Sequence, residues 1–474
     1  MQALQTGRAQ TGVPPALGRW AWMEDAVALA AGGLLRAWML GHWFQANGDT
    51  LLYGDIAKNL LLRGSYGFSA GSSVEPTLIR LPGYPLFLAA CFRLFGIDNY
   101  GAACWIQIAL ELAGCLLLAD VARRIAPKEI GRSAARATLW LAALCPFTAI
   151  YAATPLTEAL TLFAIAVALW AATCFAEQPG WSLALAFSAA VTYAALLRPD
   201  GALVAIALAP ALIFGGRVAV RSRVAMALVC ALLALAPFAA WTARNWKVFH
   251  VVQPLAPRSA TDPGGPVYTG WEDWGRTWCL DFTCTYSVFW NVPGSALDIN
   301  GLPERAFDSA AQRAVTAALV DAYNANGFQL TPALDAGFAR LAAERAAAHP
   351  WRTYLLLPLG RLADMWLRPR VENLPIDLDW WVYAHHNAET EFSWAYAALN
   401  FAYLALAAAG LWLRPRLWPW MLAYCVVRSA LLLTVQAPEA RYTLECFPML
   451  FVLGGVAVAV GWRRVRWRNC DVSA

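Results

Sequence analysis

Charged side chains are scarce in this sequence, and several stand where an apolar run begins or ends. Asp49 and Asp55 fall in "GDTLLYGDIAKNLLLRGSY", just after the apolar stretch "AVALAAGGLLRAWMLGHWF", which itself contains Arg36. Glu158 opens another run in "TPLTEAL". Arg198 and Asp200 stand in "LLRPDGA", Arg244 closes a run in "WTARNW", and Glu439 and Arg441 share "QAPEARY". A planar guanidinium forks onto a phosphate through parallel hydrogen bonds. A carboxylate among arginines can take the proton of an attacking hydroxyl. Each residue alone has a plainer reading: Asp49 as a helix cap, Asp55 as a solvated charge, each arginine as an interfacial or ion-paired side chain. Charges at membrane depth are costly and usually partnered or functional. As a set they point to a polar cavity that opens outward.

The elements that must position these residues are apolar helices. The chain has 474 residues, 59% of them hydrophobic and 14% charged, against roughly 25% charged in a soluble protein. This is the balance of an all-α polytopic membrane protein. Segments long enough to span lie at roughly 25–44, 101–122, 137–153, 155–176, 181–197, 201–216, 224–242, 394–413, 417–436 and 443–462, about ten transmembrane helices. Basic residues cluster at Arg123–Arg136, Arg217–Arg223, Arg414–Arg416 and Arg463–Arg468. With the N-terminus inside, all four clusters fall on the cytoplasmic side. The arginines sit between apolar runs, a pattern that excludes a nucleic-acid partner and implies contact with membrane lipids.

This topology divides the chain into a cytoplasmic tail (1–22), a membrane region of about seven spans (23–242), an external segment (243–393) and three C-terminal spans with a basic tail (394–474). The first external loop covers 45–100. In it, "DTLLYGDIAKNLLLRG" reads as an amphipathic surface helix with Asp49 at the N-cap and Gly64 as its stop. Leu52, Tyr53, Ile56, Ala57, Leu60 and Leu61 form its apolar half, and Asp55, Lys58 and Asn59 the other. Asp49 projects toward the protein and Asp55 away. The two are therefore not a paired-carboxylate site of the glycosidase kind. The external segment is small, soluble and mainly helical, with Thr331 capping a helix that begins at Pro332. Its stretch 351–368 reads as an interfacial helix anchored by Trp351 and Trp366. Of eleven cysteines, only Cys279 and Cys284 fall in a polar region; outside the cytoplasm they form a disulfide or remain two free thiols in a loop.

"GDTLLYGDIAKNLLLRGSYGF" followed by "PTLIRLPGYPLFLAACFRLFG" resembles the GT-C superfamily of integral membrane glycosyltransferases, in particular the group of protein O-mannosyltransferases and the lipid A aminoarabinose transferase. In that group an acid opens the first external loop with a tyrosine four positions on, matched by Asp49 and Tyr53. A basic-plus-proline motif follows, matched by "RLPGYPLF" from Arg80 to Phe87. Arg36, Glu158, Arg198, Arg244 and the "EARYT" of Arg441 and Tyr442 continue the likeness. The sequence departs from the pattern at Thr50, where a second acid usually follows the first. "WEDWG" and "DLDWW" are only faintly similar to the tryptophan-rich signature of oligosaccharyltransferases, and are read as interfacial or loop aromatics.

The resemblance implies a transferase that takes a sugar from a polyprenyl-phosphate-linked donor and passes it, with inversion, to a lipid, glycan or protein acceptor on the outer face, in a bacterial inner membrane with a periplasmic site. It implies Asp49 as base, with Arg80, Arg198 and Arg441, backed by Arg244 and Arg36, on the donor phosphate. Tyr53, Asp55, Tyr84, Glu158 and Tyr442 would line the sugar or acceptor pocket. Some members of the group use a divalent metal, but no convincing ligand spacing is found here, since His385–His386 and the pair Asp377 and Asp379 stand apart from other donors, and no required metal or other cofactor is expected. Two other readings compete. A secondary transporter should show two related halves, whereas the spans fall as seven, an external block, then three. An O-antigen ligase or polymerase-type enzyme leaves the first loop and "RLPGYP" unexplained.

Overall fold

The computed structural model describes residues 15–214 and 219–471. The first loop follows α1 (Pro15–Trp43) and holds α2 (Asp49–Arg63), a hairpin of β1 (Gly67–Ala70) and β2 (Ser73–Pro76), and α3 (Gly83–Phe95). The membrane region continues through α4 (Tyr100–Ile125), α5 (Gly131–Ala143), α6 (Pro146–Ala152), α7 (Glu158–Glu177), α8 (Trp181–Leu197), α9 (Leu203–Phe214) and α10 (Val220–Phe249). The external segment carries α11 (Thr269–Arg276), the short α12 (Phe282–Cys284), α13 (Ala310–Ala325), α14 (Pro332–Ala348) and α15 (Leu357–Leu367). The chain closes with α16 (Tyr383–Trp412), α17 (Trp418–Leu432) and α18 (Phe447–Asp471).

Every predicted apolar segment falls on a helix, so the chain is a mainly helical, multi-pass membrane protein. Fewer helices than ten meet the length and composition of a span. Among the described residues five do: Tyr100–Ile125, Glu158–Glu177, Val220–Phe249, Tyr383–Trp412 and Ala440–Val465. A sixth is gained if the pair α5 and α6 counts as one, but it is bent by 56°. Pro146 opens α6 and has no N–H to continue the ladder of α5. Three of the other predicted spans are short, with 17 residues in α8, 12 in α9 and 15 in α17, while α1 has 29 but falls short in apolar character. Helix α1 begins at Pro15, within the stretch 1–22 read as a tail. Residues 1–14, 215 and 216 of the predicted segments, and Arg217, lie outside the described residues.

Helix α4 packs against α5 and α7, and α18 against α5 and α16. A continuous core fills the space between them, including Leu118, Phe147, Ile165, Tyr403, Phe447 and Phe451. Glycine permits the closest approach: a Cβ at Gly410 would collide with the Leu453 carbonyl oxygen of α18, the small-residue contact by which membrane helices pack without a hydrophobic drive.

In the first loop α2 keeps most of its predicted apolar face, with Tyr53, Ile56, Ala57, Leu60 and Leu61 turned inward, but differs at its cap, at Asn59 and at Leu52. Its N-cap is Gly48, at φ 50°, and Asp49 is the first helical residue with no capping bond. Asn59 is buried, donating to Gly67 O at 3.0 Å and to Ser69 Oγ at 3.1 Å. Leu51, Leu52 and Leu62 are exposed instead. The cause is the hairpin, which the sequence reading did not contain. Gly71 turns it with φ 59° in a two-residue connection. Asp55 fastens it to α2, accepting from Ser69 N and Oγ, both at 2.7 Å.

The external segment has its own core of Trp271, Trp274, Trp278, Tyr323 and Phe338. The tryptophans of "WEDWG" are therefore buried packing residues of α11, not interfacial or loop aromatics. Trp380 of "DLDWW" is buried as well, whereas Trp381 is exposed. Thr331 caps α14, its Oγ1 accepting from Leu334 N at 3.2 Å. Cys279 and Cys284 are joined by a disulfide with sulfurs 2.06 Å apart. Along 351–367 the chain is helical, with Trp351, Tyr354, Leu356 and Leu359 exposed. Trp366 is no surface anchor: it packs inward and donates to Ser429 Oγ at 3.2 Å.

Candidate functional site

Prolines place the charged residues of the site. Arg198 precedes Pro199 and is held extended, at φ −147° and ψ 134°, where α8 ends. Glu158 opens α7 three residues after Pro155, and Glu439 follows Pro438 ahead of the turn Ala440–Cys446. Each break leaves a helix end and a charge at one level. Two contacts then draw the first loop onto these ends. Thr50 Oγ1 donates to Pro155 O at 3.0 Å, which fixes the start of α2 beside α7. Gly83 lets α3 abut the end of α8, since a Cβ there would lie 2.6 Å from Leu196 O.

The result is one linked network. Asp49 Oδ1 pairs with Arg80 Nη2 at 2.7 Å, and its Oδ2 faces Arg441 Nη2 at 3.6 Å. Arg441 reaches Glu158 at 3.5 Å and Glu439 at 2.6 Å. Arg198 also holds Glu158, at 3.1 Å, and extends to Glu445 at 3.1 Å and Asp200 at 3.4 Å. Behind them Arg428 binds Asp200 at 2.9 Å and Glu445 at 2.5 Å. Exposure falls with depth, from 32% for the Asp49 side chain and 20% for Arg80 to 2% for Glu445 and 0% for Arg428. The outer end is thus open to a ligand, and the inner end is a buried support.

Aromatic rings line the guanidinium groups. Arg80 lies over Tyr53 at 5.8 Å, and Tyr442 lies under both Arg198 at 5.3 Å and Arg441 at 5.7 Å. The Tyr442 hydroxyl donates to Glu439. Partial burial pushes the Asp49 carboxyl up, but Arg80, then Arg441 and Arg198, pull it below the ordinary aspartate value. Asp49 is therefore ionised at neutral pH. Arg80 Nε is buried without a partner among the described residues, and Arg80 Nη1 makes only a 3.4 Å contact to Ile79 O. An orphaned guanidinium edge beside an open carboxylate suits an incoming anion.

Of the residues read from the sequence, Asp49, Tyr53, Arg80, Glu158, Arg198, Arg441 and Tyr442 come together here. Four do not. Arg36 is fully buried in α1 against Glu111, with its Nε 2.6 Å from Oε2, and donates to Gly32 O and Ala143 O; it is committed to a core ion pair. Arg244 donates to Thr77 O and Tyr66 O, both at 2.7 Å, so it braces the loop that carries Arg80. Asp55 ties the hairpin to α2. Tyr84 is fully buried, its hydroxyl donating to Gln107 Oε1 at 2.7 Å, so it lines no open pocket. Arg428 and Glu445 were missed. Their signal was a charge inside each of the last two apolar runs.

Two further features stand apart from the network. An apolar groove of about 380 Å³ runs between α8 and α10, lined by Leu185, Thr192, Tyr193, Leu196 and Leu233, and ends two residues before Arg198. Farther out, Asp377, Asp379 and His386 bring ligand atoms within 4.8 Å of one another, a set able to hold a cation. The sequence had left these donors separate.

No curated protein matches the chain in sequence. Among solved structures, the archaeal oligosaccharyltransferase AglB from Archaeoglobus fulgidus, in complex with an inhibitory peptide and a dolichol-phosphate, aligns with a TM-score of 0.47 and 12% identity, covering 97% of this chain and 52% of that one. This chain thus spans about half the length of AglB. ArnT from Cupriavidus metallidurans aligns in its undecaprenyl phosphate complex with a TM-score of 0.38 and 14% identity, and in its apo state with 0.35 and 15%; each alignment covers 94% of this chain and 78% of that one. Residues 76–241 match the family described as dolichyl-phosphate-mannose-protein mannosyltransferase. The matched stretch holds Arg80, Glu158 and Arg198 but not Asp49 or Arg441, and over it the chain resembles the membrane glycosyltransferases to which its motifs had pointed.

Proposed function

We propose that this protein is a GT-C type glycosyltransferase of about ten spans, which moves a sugar from a polyprenyl-phosphate-linked donor to an acceptor on the outer face of a bacterial inner membrane. The observation that carries the reading is the junction of Asp49, Arg80 and Arg441 at the open end of the network. The family match over 76–241 supports it, because that stretch contributes Arg80, Glu158 and Arg198.

The chemistry follows from the charges. The isoprenoid tail lies in the apolar groove between α8 and α10, and its phosphate meets Arg198 at the groove's end, with Arg80 and Arg441 beyond. The acceptor oxygen attacks the anomeric carbon as its proton passes to Asp49, the bond from that carbon to the phosphate oxygen breaks, and polyprenyl phosphate leaves with its charge held by the arginines. Attack opposite the leaving phosphate inverts the anomeric centre. An aspartate held by two arginines is a weak base. A phosphate that draws Arg80 and Arg441 toward itself weakens that hold and raises the basicity of Asp49 at the moment the donor is bound. The arginines supply the positive charge, so no metal or cofactor is given a step.

The test is Asp49→Asn, compared with the unaltered protein by mass spectrometry of envelope lipids and glycans. The expected result is loss of the transferred sugar mass with expression and folding intact. Full transfer by the variant removes Asp49 as base.

A further inference from the structure

A second cavity stands beside the network on the external side and is not used by the donor. It encloses about 500 Å³ between Ile79 of the first loop, the 259–262 segment, the start of α11 and Phe289, within the range of about 300–1,000 Å³ typical of small-ligand sites. The first loop borders it through Ile79, the residue before Arg80. Asp262 Oδ1, on its wall, accepts from Leu78 N at 2.7 Å, two residues from Arg80. Glu272, also on its wall, faces the Gln436 side chain; with that amide turned to suit its neighbours, its nitrogen donates to Glu272 Oε2 at 3.2 Å and its oxygen accepts from Arg276 Nε at 3.0 Å. Gln436 stands five residues before Arg441. The cavity thus touches the segment that carries Arg80, whose Nη2 lies 2.7 Å from Asp49 Oδ1.

The lining has a definite chemistry. Tyr268 and Phe289 are half-buried and present ring surface, with Trp271 beneath them, edge-on to Phe289 at 6.4 Å between centroids. Between the rings stand the carboxylates of Asp262 and Glu272 and the hydroxyls of Ser259 and Thr261. No lysine or arginine is among the described residues of the lining. Sugar rings carry apolar C–H faces that rest on aromatic surface, and hydroxyl rims that donate to carboxylates. Apolar walls with a few convergent polar groups fix such a ligand's orientation. A phosphorylated headgroup would instead face the two wall carboxylates, with Arg258 and Arg276 near Glu272 but outside the lining.

We propose that this cavity is the acceptor site of the transferase and that its ligand is a saccharide, neutral or amino-bearing. The inference rests on the glycosyltransferase reading and deepens it by naming the acceptor class. Cellotriose, maltotriose, chitotriose and its de-N-acetylated form are offered to the full chain in lipid nanodiscs, alongside undecaprenyl phosphate, a serine- and threonine-rich peptide and phosphatidylglycerol. At least one saccharide is expected to bind. Its affinity is expected to fall at least tenfold in both Tyr268→Ala and Glu272→Gln, with undecaprenyl phosphate binding unchanged in both. That unchanged binding also reports that the variants are folded. Saccharide binding that is equal in the unaltered chain and both variants overturns the proposal, and so does binding of the peptide or phosphatidylglycerol with none of the saccharides. Absence of undecaprenyl phosphate binding in the unaltered chain defeats the donor reading separately, whatever the saccharides do.

Discussion

Arg80→Ala is the perturbation that bears most directly on the donor. Arg80 joins Asp49 through Nη2 at 2.7 Å, while among the described residues its Nε has no partner and its Nη1 only a long contact. It can therefore engage a phosphate without surrendering Asp49 altogether. A hydrogen bond to a charged group contributes about 1.5–3 kcal/mol, and every 1.4 kcal/mol or so is a factor of ten in a dissociation constant. Removal of Arg80 should thus weaken undecaprenyl phosphate binding by about 10- to 150-fold. Arg80→Lys keeps the charge but loses the fork, so its loss should be smaller. The assay is equilibrium binding of undecaprenyl phosphate to the purified chain in nanodiscs, read by native mass spectrometry, with a saturating series for each variant. A second readout follows from the pairing with Asp49. Without Arg80 the carboxylate keeps only Arg441 at 3.6 Å and Arg198 farther off, so its pKa rises toward the ordinary value. Affinity within twofold of the unaltered chain in Arg80→Ala would refute the assignment of Arg80 to the phosphate.

Glu445→Gln removes the carboxylate that Arg198 and Arg428 share. Breaking a buried pair from one side costs about 3–5 kcal/mol, so thermal unfolding in detergent should move down by several degrees, and an unchanged midpoint would show that Glu445 supports neither arginine. The Asp49 carboxyl has a lowered folded-state pKa, so its contribution to stability is fully present above about pH 4, its unfolded value, and is lost as pH falls through the lower folded value. The stability difference between the unaltered chain and Asp49→Asn should therefore be flat from neutrality to about pH 5 and shrink in stronger acid; a difference that changes between pH 6 and 8 contradicts the sign. Sugar transfer should be unaffected by EDTA, and activity lost to the chelator and restored by a divalent cation would move attention to Asp377, Asp379 and His386.

The sequence exposed the parts of the site that chemistry marks and concealed those that packing decides. Charges at the edges of apolar runs revealed Asp49, Glu158, Arg198 and Arg441, because a membrane makes an unpartnered charge conspicuous. The same criterion overreached at Arg36, whose partner Glu111 lies on another helix and could not be read from spacing. It also passed over Arg428 and Glu445, which sat inside segments counted as plain spans. The wheel for α2 erred at Asn59 and Leu52 because a helical projection has no knowledge of the hairpin that later covers its polar side. The ten apolar segments were all legible as helices. What periodicity could not give was the bend at Pro146 or the end of α17 at Leu432, which depend on where neighbouring ends meet.

The pairing of Asp49 with Arg441 sets a condition on biogenesis. Residues near opposite termini must meet before the outer chamber exists, so a chain still emerging from the ribosome carries Asp200 and Glu158 at its helix ends with their later cationic partners not yet made. Such an intermediate is both inactive and electrostatically incomplete until its final hairpin inserts. Premature truncation before that hairpin would leave Glu158 and Asp200 to share Arg198 alone, without the second cations that Arg441 and Arg428 bring.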